Sequence, residues 1–240
     1  MNVRRDRQSP WGVRLYFESA EFDVMMHDLT LRAEPGVFVA GQGIDVERVL
    51  RKALYLEADF VDLPEGLLGR TLFHGDGRAQ IEVSRALADA AETDRLARRR
   101  LRTTLAHECG HVACHVQLFL GDTETLGLFP PSQAPAKPAI LCRESSVDTQ
   151  YNGEWWEFQA NQCMAALLLP KRLFIRELET TLAACRSPSF VEAIKQGQDE
   201  TILRALADTF DVSWQSVLLR LQELGFAPKK EQVPQKRLAL

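Results

Sequence analysis

The pattern of apolar and polar positions sharpens from Asp45 onward. Val46, Val49, Leu50, Ala53 and Leu54 recur at helical spacing, and Asp45 before them suits a helix N-cap. A strand is predicted around Ala58 to Leu63, ended by Pro64. Thr71 to Phe73 and Ala79 to Val83 flank His74-Gly75-Asp76-Gly77, whose residues tolerate positive φ, so the stretch reads as a hairpin. A long helix is expected from about Asp94 to about Phe119, and a second from about Glu154 to Leu169. Helical pattern continues from Arg172 to Ala184. Two short helices, roughly Glu200–Phe210 and Trp214–Leu224, close the chain, the last capped by Ser213. Upstream, Val13 to Phe17 reads as a strand and Glu34-Pro35-Gly36 as a turn. Between the two long helices, residues 121–148 carry Pro130, Pro131, Pro135 and Pro138 and read as a long loop insertion.

These elements predict an α+β fold: mostly helical, with a small antiparallel sheet before the first long helix and a C-terminal helix bundle. The organisation expected is an N-terminal extension over 1–43 packed on the core, one domain over 44–226, and a flexible polar tail over 227–240. A chain of 240 residues, 45% hydrophobic and 26% charged, is long enough to bury a core without staples. A formal charge of -4 gives no global basic field for nucleic acid. The longest relevant apolar run, Cys163 to Leu169, is far too short to span a bilayer, and Met1 to Phe17 lacks the apolar segment of a secretory signal. Five cysteines, an odd number without a CxxC, argue against a disulfide framework and suit a reducing cytoplasm.

The first long helix carries His107-Glu108-Cys109-Gly110-His111. Histidines at i and i+4 project from one helix face, where two ring nitrogens can hold one zinc ion. Glu108 lies one position round, placed to act on a metal-activated water as general base. Gly110 costs about 1 kcal/mol against alanine in mid-helix, which makes sense where another helix or the metal comes close. A third ligand is needed. His115 follows His111 by four, but it is about 12 Å from His107 along a straight helix and cannot share one ion with it. It reads as a structural or surface residue, and His27 and His74 have no supporting pattern. The second long helix offers Glu157 and, one turn earlier, Glu154. Glu157 shares a face with Ala160, Asn161, Met164 and Leu168, where a lone carboxylate is costly unless paired or metal-bound. Ala160 would let this helix approach the first, and Asn161 is placed to hold the far nitrogen of a ligand histidine.

His107-Glu108-Cys109-Gly110-His111, followed by Glu157-Phe158-Gln159-Ala160-Asn161 and a small apolar run to Pro170, resembles the ImmA/IrrE family of zinc metallopeptidases, which pairs an HExGH helix with an ExxAN helix. Leu206-Ala207-Asp208-Thr209-Phe210-Asp211-Val212-Ser213 is similar to the family's closing helices. The resemblance covers roughly Ile44 to Phe226. It implies a zincin-like, gluzincin-type domain with one zinc per chain held by His107, His111 and Glu157, and with Glu108 catalytic. It also implies a protein partner, a helix-turn-helix transcriptional repressor, whose cleavage relieves repression in stress responses or mobile-element transfer. Cys109 and Cys163 stand where the family more often has larger apolar residues, and the insertion between the motifs is long.

Further expectations bear on partners. Arg95, Arg98, Arg99, Arg100 and Arg102 read as a solvated helix face rather than a patch for an acidic partner. The Gln80–Val83 strand is expected to be the edge on which an extended substrate pairs. The alternative function is a non-catalytic zinc-containing module that binds DNA or protein through the last two helices. Their stripe of Trp214, Val217, Leu218, Leu221 and Leu224 reads as core, and Arg220 is the one base on the last helix, too little for phosphate contacts. Cys142, in the insertion, is a weaker candidate for a thiolate closing the open zinc position.

Overall fold

The computed structural model describes residues 1–7, 9, 11–40, 43–74, 77–119, 139–143 and 154–228, with 39–40 and 139–143 described as backbone. In chain order these form β1 (Asn2–Arg5), β2 (Val13–Tyr16), α1 (Ser19–Ala33), α2 (Val37–Ala40), α3 (Val46–Val49) running on into a wider turn at Leu50–Leu54, β3 (Ala58–Val61), β4 (Leu67–Phe73), β5 (Ala79–Ser84), α4 (Arg85–Ala91), α5 (Arg95–His115), β6 (Ala139–Arg143), α6 (Trp155–Leu168), α7 (Lys171–Ala184), α8 (Phe190–Lys195), α9 (Asp199–Phe210) and α10 (Trp214–Glu223). The class is α+β and mostly helical.

The caps expected at Asp45 and Ser213 are in place, and Asp94 supplies a third. The Asp45 carboxylate accepts the Arg48 amide, the Asp94 carboxylate accepts those of Leu96 and Ala97, and the Ser213 hydroxyl accepts that of Ser216. The β4–β5 hairpin closes through His74 and Arg78, with Gly77 at φ 80.

The sheet corrects two expectations. It has four strands in the order β3-β5-β4-β6, and β3 runs parallel to β5, so it is mixed rather than purely antiparallel. β5, which contains Gln80–Val83, is therefore interior: β3 takes its backbone groups on one side and β4 on the other, leaving it no edge for a substrate. The 121–148 stretch is also not all loop, because Ala139–Arg143 forms β6 and pairs antiparallel with β4. The four prolines lie outside the described residues. Period-two alternation on β4 buries Gly69, Thr71 and Phe73, and their partners Val83 and Ile81 on β5 are buried with them.

α5 packs mainly on α6, and α6 also on α1. Phe22, Met26, Leu29 and Ala33 of α1 enter the main core together with Leu105, Ala106 and Cys109 of α5, Met164 and Leu167 of α6, Phe174 of α7, and Leu206 and Phe210 of α9. A second core under the β1–β2 hairpin joins Trp11, Val13 and Leu15 to Phe73 and Trp155. Described residues of the 1–43 stretch thus contribute to both cores. At the other end Ala227 is buried, and 229–240 lie outside the described residues.

The basic half of α5 has an internal acidic partner. Arg95 and Arg99 each reach Asp208 at 2.7 Å, and Arg99 reaches Asp211 at 3.0 Å, tying α5 to the end of α9. On α10 the stripe differs from the expected one. Trp214, in its first turn, is 45% exposed, while Arg220 is 1% exposed beside Val217 and Leu221. Burial of this cation is compensated: it donates to Asp23, to Glu223 at 2.9 Å and to the Leu169 carbonyl at 3.1 Å. Among the described residues, no helix is long and apolar enough to cross a membrane.

Candidate metal centre

The site is built where α5 and α6 cross closest. A Cβ added to Gly110 would lie 2.8 Å from the Ala160 carbonyl oxygen and 2.8 Å from Cys163 Cβ, so glycine there is what allows the approach. Cys109, Cys114 and Cys163 fill the same seam as small side chains, with the Cys114 and Cys163 sulfurs 3.2 Å apart. Burial pushes the Cys109 thiol up to about 12 and that of Cys163 well above its ordinary value.

This approach brings His107, His111 and Glu157 together, all buried. His107 Nε2 lies 3.0 Å from Glu157 Oε2 and 2.9 Å from His111 Nε2, and His111 Nε2 lies 3.4 Å from Glu157 Oε1. Tetrahedral zinc with bonds of about 2.0–2.2 Å spaces its nitrogen and oxygen ligands about 3.3 Å apart. The donor spacings of 2.9, 3.0 and 3.4 Å lie near that value, close enough for the three groups to share one ion.

The protonation states point the same way. His107 Nδ1 lies 2.9 Å from the Asn161 side-chain oxygen, which can only accept, so the ring proton sits on Nδ1 and Nε2 presents a lone pair. Burial raises the Glu157 carboxyl, but its contacts with His107 and His111 outweigh this and hold it at about 2, an acceptor at neutral pH. Burial pushes His111 down to about 4, so it is neutral. A metal ion can take the place of a proton shared among these converging atoms, and this buried His-His-Glu group could hold one.

Glu108 is fully buried and turns toward the sheet. Its Oε2 accepts from Thr71 Oγ1 at 2.6 Å. Gly69 leaves room for it: a Cβ there would stand 3.0 Å from Glu108 Oε1 and 2.6 Å from Thr104 Cγ2.

The remaining candidates separate cleanly. Glu154 is the N-cap residue of α6 and stands outside the ligand group. His27 packs on Phe38, and His74 belongs to the hairpin turn. His115 is fully buried and is not among the ligands. It stands behind His111, Nδ1 to Nδ1 at 3.1 Å, and its Nε2 lies 3.2 Å from Gln159 Oε1. The Cys142 backbone pairs with Gly69 on β4, while its side chain falls outside what is described. Gly69, Thr71 and Gln159 had no motif to mark them. The one signal was a hydroxyl at an inward strand position for Thr71 and, for Gln159, a polar residue two before Asn161.

The chain matches no family model and no curated protein.

Proposed function

We infer that the protein is a zinc-dependent endopeptidase that cleaves a peptide bond in a partner protein. The observation that carries this reading is the convergence of His107 Nε2, His111 Nε2 and the Glu157 carboxylate beside a separate buried carboxylate, Glu108, held by Thr71. Among the described residues the group offers three protein ligands, the number that a catalytic zinc takes, where a structural one takes four. A divalent ion held by His107, His111 and Glu157 would lower the pKa of water to about 7 and polarise a carbonyl. Glu108 is then the proton carrier: its carboxylate accepts the proton of the attacking water and delivers it to the departing amine. The Thr71 hydroxyl fixes the rotamer of that carboxylate, and Gly69 gives it space. The resemblance to ImmA/IrrE peptidases supplies the substrate class, a helix-turn-helix repressor. The DNA-binding alternative loses support because Arg220 is buried and ion-paired.

The test has two parts. Metal content is measured by mass spectrometry on wild type, Glu157→Ala and Glu108→Gln, purified without added metal. The zinc-loaded proteins are then incubated with a proteome-derived peptide library, and new N-termini are read by mass spectrometry. The expected result is about one zinc per chain in wild type and Glu108→Gln, loss in Glu157→Ala, and cleavage by wild type alone. Cleavage by Glu108→Gln at the wild-type rate, or zinc-loaded wild type that cuts nothing, overturns the peptidase reading.

A further inference from the structure

A histidine ring holds metal through Nε2 only when its single proton is on Nδ1, and something must keep it there. For His107 that is Asn161. For His111 the neighbour at Nδ1 is another histidine, which can donate or accept, while Nε2 faces Glu157 Oε1 at 3.4 Å and His107 Nε2 at 2.9 Å, acceptors that would otherwise draw the proton to that side, so the pair alone does not decide. The decision comes from further out. Gln159 Nε2 donates to the Leu15 carbonyl on β2 at 2.7 Å. A carbonyl only accepts, so the Gln159 amide is oriented and its Oε1 faces His115 Nε2. That oxygen also only accepts, so His115 carries its proton on Nε2 and offers a bare Nδ1. The bare nitrogen accepts from His111 Nδ1, 3.1 Å away. The chain of bonds runs in one direction, from His111 through His115 and Gln159 to Leu15, and its far end sets the polarity of every link. All four residues are buried. The other partner of His115, the Trp155 ring at 5.7 Å, packs on its face or edge without accepting from either nitrogen.

We propose that His115 and Gln159 are positioning residues for the metal centre: they hold His111 in the tautomer whose Nε2 is a lone pair, and they anchor that choice to the N-terminal hairpin through Leu15. This rests on the metal-site reading above, and it predicts that the tautomer is already fixed before metal arrives.

Two measurements separate the two claims. Long-range proton–nitrogen NMR spectra of the metal-free protein read the His111 tautomer directly, and competition titration gives the zinc Kd. In wild type the spectrum should show His111 protonated at Nδ1. In His115→Phe, which keeps a ring but accepts no hydrogen bond, the His111 proton should redistribute to Nε2 and zinc binding should weaken about ten- to a hundredfold. Gln159→Leu should do the same by freeing His115 to reverse. His115→Gln can still accept from His111 and donate to Gln159, so it should stay within a few-fold of wild type. A role in volume alone gives the opposite order, with Phe tolerated and Gln not. The proposal is overturned if His115→Phe and Gln159→Leu keep the Nδ1 tautomer and the wild-type zinc Kd. Absence of zinc binding in wild type, with the tautomer as expected, would sink the metal reading and leave the relay standing.

Discussion

Gly110→Ala tests the seam on which the centre depends. In an isolated helix the change stabilises by about 1 kcal/mol. Here the new methyl would stand 2.8 Å from both the Ala160 carbonyl oxygen and Cys163 Cβ, and 3.1 Å from Ala160 Cα. Two of those three atoms are backbone, so no side-chain rotation relieves the contact. Ordinary van der Waals contact is about 0.6 Å further out, and α5 and α6 must separate by a comparable distance. Overpacking of this kind costs about 1–3 kcal/mol, which outweighs the helix gain and leaves a net loss of about 0–2 kcal/mol. For a chain of this length that corresponds to a fall in Tm of up to about 8 °C. The larger effect falls on metal. His107 and His111 ride on one helix and Glu157 on the other, while metal–ligand distances tolerate only about 0.2 Å. Zinc Kd should weaken at least about tenfold, or about 1.4 kcal/mol. Thermal melts and competition titration of the same two proteins decide it. A variant that melts higher than wild type and binds zinc as tightly would refute the reasoning.

Two further predictions follow from buried charge. The metal-free protein should lose stability as pH falls below 6.5: His111 titrates at about 4 when folded against 6.5 unfolded, so between those values the unfolded chain takes up a proton the folded one refuses. Glu157 adds to the loss only lower, as pH falls from 4.5 toward about 2. From His111 alone, urea titrations should find the protein about 2 kcal/mol less stable at pH 5 than at pH 7, and His115, which burial also pushes down, adds to the same loss; a flat profile would contradict the assignment. Arg220→Ala should cost about 3 kcal/mol or more in the same assay at pH 7, because it leaves Asp23, Glu223 and the Leu169 carbonyl without their shared donor; a cost under about 1 kcal/mol would mean those groups are well solvated without it.

Local chemistry was legible in the sequence where it leaves a local mark. The i, i+4 histidines, the lone glutamate on an apolar helix face and the mid-helix glycine each point to the α5–α6 crossing, and the structure places all of them there. Asp45 and Ser213 read as caps for the same reason. What stayed hidden depends on distant partners. α1 has its buried positions at helical spacing, Phe22, Met26, Leu29 and Ala33, but Val24 and Leu31 on the exposed side blur the stripe. The parallel pairing of β3 with β5 and the return of β6 to β4 are choices of topology that no single strand encodes. Trp214 reads as core from its spacing, and the burial of Arg220 is not legible at all, because hydropathy cannot register that Asp23, nearly two hundred positions earlier, meets that guanidinium. From the sequence His115 reads as structural or surface. Its place behind His111 depends on Gln159 and on a carbonyl in a hairpin at the other end of the chain.

The three cysteines of the α5–α6 seam have an experimental use. Their thiols are buried, and for Cys109 and Cys163 burial also suppresses the thiolate that alkylating reagents attack. Cys185, half-buried at the end of α7, sits outside that seam. Slow alkylation of Cys109, Cys114 and Cys163 in the native protein is therefore a clock for the parting of the two helices, and its rate gives the opening free energy of the ligand-bearing pair. The residues that let the helices close also report each time they come apart.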